Sequence, residues 1–274
     1  MPKTNIDDYL TLGSFQNLIR MNSNRLITQP GESVMDAANR LNLFDLGEIK
    51  QQNKTIPLNQ KLATPQEINT KGPTEIVPDD VKRICYALEK RKYRVFRDDK
   101  RNYNLNIVGL RNANAEPNKF DDELWVFWKF ESKWTLKKYK VTTDPGLSYL
   151  SDPISNSGTA ILKEGQYPKA YRLGKHQGKY EALVQASPLT VIRDFNRDGK
   201  LDFASGKEQT GFFGINIHRS SPTGESTLVN KWSAGCQVFA RITEYNEFMS
   251  LCKKAIGEWG NEFTYTLIRK SWLA

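Results

Sequence analysis

His218 and Cys236 are the residues on which this chain could run nucleophilic chemistry. The sequence holds two histidines and three cysteines. One of each falls in the run Gly214-Ile215-Asn216-Ile217-His218-Arg219 and, after a polar loop, Trp232-Ser233-Ala234-Gly235-Cys236-Gln237-Val238. A thiol becomes an effective nucleophile when a neighbouring base or positive charge holds it as thiolate, and imidazole is the side chain best matched to that proton transfer near neutral pH. In an acyl transfer Cys236 would attack a carbonyl and His218 would take the thiol proton. Amides beside the small residues Ala234 and Gly235 would hold the developing oxyanion. The competing reading of the same residue types is a buried structural cysteine beside a satisfied core histidine.

The flanking residues suggest how the pair is positioned. Phe212 to His218 reads as a strand whose alternation puts Phe213, Ile215 and Ile217 on one face, and Asn216 and His218 on the other. Ser220 to Thr227 has the Ser, Pro, Thr and Gly content of a loop. Ser233-Ala234-Gly235-Cys236 is a small-residue bend that allows close backbone approach before the apolar strand Val238-Phe239-Ala240. Asn216, Arg219 and Trp232 flank the two motifs and are candidates for touching substrate. The second histidine, His176, lies in a polar stretch between Gly174 and Gly178. It reads as an exposed loop residue, with a cleft-lining role as the alternative.

This arrangement resembles the catalytic motif of the L,D-transpeptidase (YkuD-like) family, in which a His ends one strand and a Ser/Thr-x-Gly-Cys segment follows after a loop. His218, Ser233, Gly235 and Cys236 match it, separation included. The resemblance implies a β-rich catalytic domain that needs no cofactor. It also implies a nucleophile, Cys236, that attacks a peptidoglycan stem peptide and forms a thioester, which is passed to an amine or to water. His218 is then the base, Ser233 a neighbouring polar group, and Gly235 with Cys236 part of the oxyanion site. The chain departs from the family at Ala234, where many members have His, and at Val238, where many have Arg or Asn. These departures bear on the acceptor and substrate more than on the dyad.

Toward the N-terminus the chain reads as an arm over 1–24, then a short strand and turn at Arg25 to Ser33. A helix with Val34, Ala37, Ala38 and Leu41 on one face follows, then a second short helix at Phe44 to Gln52, and a closing segment to Pro65. This βααβ order over 25–66 resembles a LysM module in Gln29-Pro30-Gly31-Glu32-Ser33, Ala38, Asn53 and Asn59-Gln60-Lys61-Leu62. That resemblance implies affinity for N-acetylglucosamine polymers such as peptidoglycan. Residues 67–78 are polar and Pro/Gly-bearing, as a linker is. From Asp79, read as a capping carboxylate, a helix carries Val81, Ile84, Cys85 and Leu88 on one face. Strand-like runs follow at Asn102–Leu110, Glu123–Phe130, Trp134–Val141 and Leu189–Ile192. The aromatic residues Trp125, Phe127, Trp128, Phe130 and Trp134 read as core. The last third closes with a helix over Glu244–Ile256 and a strand over Phe263–Ile268. The fold class is α+β: a β-rich catalytic domain over 79–274 with a small N-terminal βααβ module.

Composition sets further bounds. The 274 residues carry a formal charge of +9, which attracts polyanions. The basic residues are dispersed and no base-reading motif appears, so specific nucleic-acid binding is not expected. Mean hydropathy is -0.61, and no apolar run approaches the ~20 residues of a membrane span. Three cysteines cannot all pair within a monomer, and Cys85 and Cys252 fall on apolar helix faces, which leaves Cys236 as the reactive thiol. The N-terminus lacks the basic-then-apolar order of a secretory signal. A wall-directed enzyme made in the cytoplasm without one would reach the cell wall or periplasm by release or delivery, as a phage lysin, a phage tail or injection-apparatus component, or an exported effector. Two other functions fit: a baseplate-type structural protein with a vestigial cysteine site, and a cysteine peptidase acting on a protein. Asp194, Asn196, Asp198, Gly199 and Asp202 stand in the order of a calcium loop, although its twelfth position is Ser205 rather than Glu. The alternative is a hairpin turn.

Overall fold

The computed structural model of the protein describes residues 76–98, 100–112, 116–204 and 206–273. The proposed arm, the LysM-like module and all but the last three linker positions lie outside them. The described chain is mixed α+β and rich in strands. It begins with helix α1, Asp79–Glu89, then strands β1, Asn106–Arg111, β2, Asp122–Phe130, and β3, Lys133–Thr142. A short helix α2, Leu147–Ser151, leads to β4, Thr159–Leu162, β5, Gly165–His176, β6, Tyr180–Gln185, β7, Leu189–Asp194, and β8, Glu208–Gly211. After β9, Ile217–Arg219, and β10, Gln237–Phe239, come helix α3, Ile242–Trp259, strand β11, Phe263–Arg269, and a 3-10 turn over Lys270–Leu273.

Eight strands close a barrel in the order β1-β11-β5-β6-β9-β10-β3-β2, and β4, β7 and β8 form a separate three-stranded sheet. Closure leaves the barrel with no open edge. Most neighbours are antiparallel, while β1 with β11 and β9 with β10 are parallel. One face of the barrel strands supplies Val126, Tyr139, Val141, Tyr171, Leu183, Ile217, Phe239 and Tyr265 to the main core, and α3 adds Phe248, Leu251 and Cys252. The opposite face of β1, β2 and β11 carries Val108, Leu110, Trp125, Phe127 and Ile268, which pack against Val81, Ile84 and Leu88 of α1. The 3.6-residue spacing read from α1 and α3 is thus a burial pattern, and Cys85 and Cys252 are core residues as expected.

Three local expectations need correction. Pro78, not Asp79, is the N-cap of α1, and no side chain caps the helix, because Asp79 and Asp80 already lie in its first turn. Strand β1 starts at Asn106, four residues later than expected. Finally, Phe212 to Asn216 is not a strand: Gly214 has φ +70° and breaks the extended run, so only Ile217–Arg219 pairs as β9.

Candidate active site

The register of two short strands sets the sequence-predicted pair on one face, diagonal to each other. In the parallel pairing of β9 and β10, Ile217 lies opposite Gln237 and His218 opposite Val238. Alternation then turns His218 to the face shared by Cys236 and Val238, while Ile217 and Phe239 enter the barrel core. Cys236 sits one position before β10, level with Asn216. Its sulfur is 3.4 Å from the Asn216 amide nitrogen, and its thiol donates to the Gly214 carbonyl at 3.6 Å. Among the described residues these backbone groups, and not the imidazole, are the hydrogen-bond partners of the sulfur.

His218 is almost fully buried, with 3% of its surface exposed. Its Nδ1 lies 2.7 Å from the Arg219 carbonyl oxygen and 3.1 Å from the Tyr180 hydroxyl. A carbonyl only accepts, so Nδ1 carries the proton. The Tyr180 hydroxyl then also donates to the Arg219 carbonyl, at 3.2 Å. This tautomer leaves the Nε2 lone pair unprotonated, with the ring oriented by a backbone carbonyl.

The electrostatics keep both members neutral at rest. Burial pushes the Cys236 thiol up to about 11, against a smaller downward pull from the Asn216 amide. Burial, then the neighbouring charges of His176 and Arg219, lower His218 to about 3, although its bond to the Arg219 carbonyl opposes the shift. The resting pair is therefore thiol and imidazole rather than a thiolate–imidazolium ion pair. Deprotonation of the thiol would have to accompany attack.

The bend before Cys236 is held from three sides. The Ser233 hydroxyl donates to the Cys236 carbonyl at 2.9 Å and accepts from the Gly235 amide at 3.1 Å. The buried Ser233 is thus a fastener of the loop. Gly235 has φ +123°, and a Cβ there would lie 2.2 Å from the Ala160 carbonyl oxygen of β4, so only glycine fits. On the third side the Gly146 amide donates to the Ser233 carbonyl at 2.8 Å.

Gly146 ends a turn anchored by a buried ionic cluster. Arg111 is 2.9 Å from Asp144 and 3.3 Å from Glu164. Asp122 accepts from the Thr143 amide at 2.6 Å, the Thr143 hydroxyl at 2.8 Å and the Asn112 amide at 2.7 Å. Burial and the neighbouring Asp144 raise Asp122 to about 7.

His176 overturns its reading as an exposed loop residue. It is the last residue of β5 and only 8% exposed, and its ring stacks on that of His218 with centroids 3.9 Å apart. The Asn216 side-chain oxygen accepts from the Gln185 amide at 2.9 Å. Its amide nitrogen must therefore face His176 Nδ1, 3.0 Å away, and donate to it. Asn216 is thus a bridge between the Cys236 loop and the second histidine. Arg219 lies over the Tyr180 ring at 4.0 Å and lines a cavity of about 350 Å³ that reaches α3. Trp232 is 42% exposed and lines neither cavity beside the loops that carry the pair.

Sequence reasoning missed Tyr180 and Gln185. The Gln185 side-chain oxygen accepts from the amides of Phe213, Gly214 and Ile215 at 2.9, 2.9 and 3.2 Å, and so fixes the irregular segment whose Gly214 carbonyl meets the sulfur. A glutamine at a strand end carries no signal of this in the sequence.

The calcium-loop residues lie on the β7–β8 connection, and their oxygens serve the turn's own amides. Asn196 accepts from Asp198 at 3.1 Å, Asp198 from Lys200 at 2.9 Å, Asp194 from Asp202 at 3.2 Å and Asp202 from Ala204 at 2.9 Å. Among the described residues no group of three or more His, Cys, Asp or Glu is disposed to hold a metal ion. Among them also, no helix is long and apolar enough to cross a membrane. No protein-family model, no curated protein and no solved structure matches this chain.

Proposed function

We propose that the protein is a cysteine acyl-transfer enzyme whose substrates are peptidoglycan stem peptides, an L,D-transpeptidase-like enzyme or the corresponding peptidase. One observation carries this reading: His218 and Cys236 face the same side of two paired strands, with the imidazole Nδ1–H tied to the Arg219 carbonyl so that Nε2 is the free base. The substrate class comes from the motif His218…Ser233-x-Gly235-Cys236. In this mechanism Cys236 turns from the Gly214 carbonyl toward Nε2 and attacks the acyl carbonyl as its proton passes to His218. The imidazolium then protonates the leaving amine, and the thioester is resolved by an acceptor amine or by water. The Gly235 amide is taken by the Ser233 hydroxyl, which leaves the Cys236 amide on the same loop as a backbone donor for the oxyanion. Peptidoglycan binding by the N-terminal region, and delivery to the wall by a phage or injection particle, extend the same proposal. Incubation of the protein with purified peptidoglycan, followed by mass spectrometry of the muropeptides, tests it. New cross-linked or shortened stem peptides are expected, and Cys236→Ala abolishes them. Absence of any Cys236-dependent product rejects the reading.

A further inference from the structure

Two cavities lie beside the loops that carry Cys236 and His218, and each is lined by an arginine, Arg219 or Arg193, that pairs with no carboxylate among the described residues. The cavity lined by Arg219 and Tyr180 lies on the histidine side. The other, of about 210 Å³, borders Ala234 and is lined by Ile154, Gly158, Ala160, Phe213 and Arg193. Arg193 stands directly opposite Ala160 in the β4–β7 pairing, and Ala160 is the residue whose carbonyl presses on Gly235. This second cavity therefore opens beside the loop that carries the nucleophile.

Arg193 is fixed there. Its Nε donates to the Gln209 side-chain oxygen at 2.9 Å, one Nη1 hydrogen goes to the Gly158 carbonyl at 3.1 Å, and the guanidinium lies 4.9 Å from the centre of the Phe213 ring. All of these partners are neutral. Among the described residues no carboxylate pairs with Arg193, and the Nη2 hydrogens have no protein acceptor. Partial burial lowers its basicity with no offsetting anion. Arg111 makes the contrast: where a guanidinium is buried for structure, this chain supplies both Asp144 and Glu164.

We infer that the Arg193 cavity is a carboxylate-recognition subsite, in which the guanidinium pairs with an anionic group of the acyl donor while Ile154, Ala160, Phe213 and Ala234 receive its aliphatic part. The inference rests on the acyl-transfer reading for its substrate, a stem peptide that bears free carboxylates. A planar guanidinium with one free edge matches the two oxygens of a carboxylate, and the hydroxyls of Tyr149 and Ser155 in the same lining can add neutral donors to it. The small volume suits one side chain or a chain terminus rather than a sugar.

Calorimetric binding to the full chain carrying Cys236→Ala tests this. Two probes are compared: a synthetic stem tetrapeptide with its carboxylates free, and the same peptide with them converted to carboxamides. The free form is expected to bind roughly ten- to a hundredfold more tightly. Arg193→Met erases that difference by weakening only the free form, and Arg193→Lys retains part of it. Ile154→Asp, at an exposed position on the cavity wall, places a competing anion there and weakens the free form alone, which covers the case of an Arg193 variant that folds poorly. Equal affinity for the two peptides, or an Arg193→Met loss shared equally by both, overturns the subsite. Arg193-dependent carboxylate preference without Cys236-dependent muropeptide products would leave the subsite standing and sink the enzymatic reading. Products without that preference would do the reverse.

Discussion

The imidazole of His176 lies on that of His218 with planes inclined by 21° and centroids 3.9 Å apart. Two imidazoles this close cannot both hold a proton cheaply, and Arg219 adds a third nearby charge that disfavours protonation of either. Burial is the larger cause of the low His218 value, but a protonated His176 contributes. In His176→Phe, which keeps an aromatic ring and removes that charge, the His218 titration should move upward. Ring nitrogen chemical shifts followed by NMR as pH is lowered would report it, and an unchanged titration would show that the stack is electrostatically silent.

The stacked pair marks where the sequence stopped being legible. His218 and Cys236 were readable because the motif is short and its strands adjacent. Helices α1 and α3 were readable because each buries one face at regular spacing. His176 was not, because it meets His218 only through the closed barrel, where β6 pairs with both β5 and β9. Its flanking glycines suggested a loop, yet Gly174 is inside β5, where a Cβ would lie 2.7 Å from a methyl of Val184. The turn is Gln177, Gly178 and Lys179, the first two at positive φ. Arg193 was equally hidden, since its environment comes from β4 and from the Phe213 segment, both distant in sequence.

Acid should weaken the fold through His218. Its folded value near 3 lies below the 6.5 of a free histidine. As pH falls from 6.5 toward 3, the unfolded chain takes up a proton that the folded chain refuses, and stability is lost by up to ~1.4 kcal/mol per pH unit from this group. Asp122 acts in the opposite sense: raised from 3.8 to about 7, it favours the folded state at low pH and loses that contribution as pH rises toward 7. Denaturant titrations of wild type and His218→Gln at pH 7 and pH 5 separate the two. The variant should lose about 2 kcal/mol less over that interval, the full 1.36 kcal/mol per unit applied below 6.5. Parallel pH dependence would show that His218 is not buried neutral.

Alkylation of Cys236 should report a neutral thiol at rest. Only the thiolate reacts, so with a value near 11 the iodoacetamide rate should rise about tenfold per pH unit from 6 to 10. Quantifying the Cys236 peptide by mass spectrometry separates it from the buried Cys85 and Cys252. A fast, flat rate between pH 5 and 8 would instead mean a preformed thiolate–imidazolium pair.

Gln185→Leu should damage the site through three amides at once. Without the side-chain oxygen, the amides of Phe213, Gly214 and Ile215 lose their acceptor. Those left buried would cost ~1–3 kcal/mol each, and water would reach the exposed Gly214. The expected outcome is a loss of roughly 2–4 kcal/mol in unfolding free energy, with faster alkylation of Cys236 as the Gly214 carbonyl releases the thiol. Gln185→Glu keeps the acceptor but turns a carboxylate oxygen toward the Ser187 and Gly211 carbonyls, to which the Gln185 amide nitrogen donates at 3.0 and 2.9 Å, so it should restore only part of the stability. If Gln185→Leu is as stable as wild type, the glutamine is not the anchor of this segment.

Two glycine variants separate backbone strain from loop position. Gly224 has φ +65° with nothing within 4 Å of an added Cβ, so Gly224→Ala bears only the left-handed penalty of ~1–2 kcal/mol. Gly235 has φ +123° and would also drive its Cβ to 2.2 Å from the Ala160 carbonyl, which is backbone and cannot rotate away. Gly235→Ala must therefore move either β4 or the Ser233–Cys236 bend, and the bend has the fewer anchors. Unfolding should become easier by more than the Gly224 variant shows. On the proposed acyl-transfer reading, muropeptide formation should fall roughly a hundredfold, because displacement of the Cys236 sulfur by about 1 Å costs about that much. Gly224→Ala should leave turnover within twofold. Were Gly235→Ala to retain full turnover, the close packing of this glycine on Ala160 could not be what sets the position of the Cys236 sulfur.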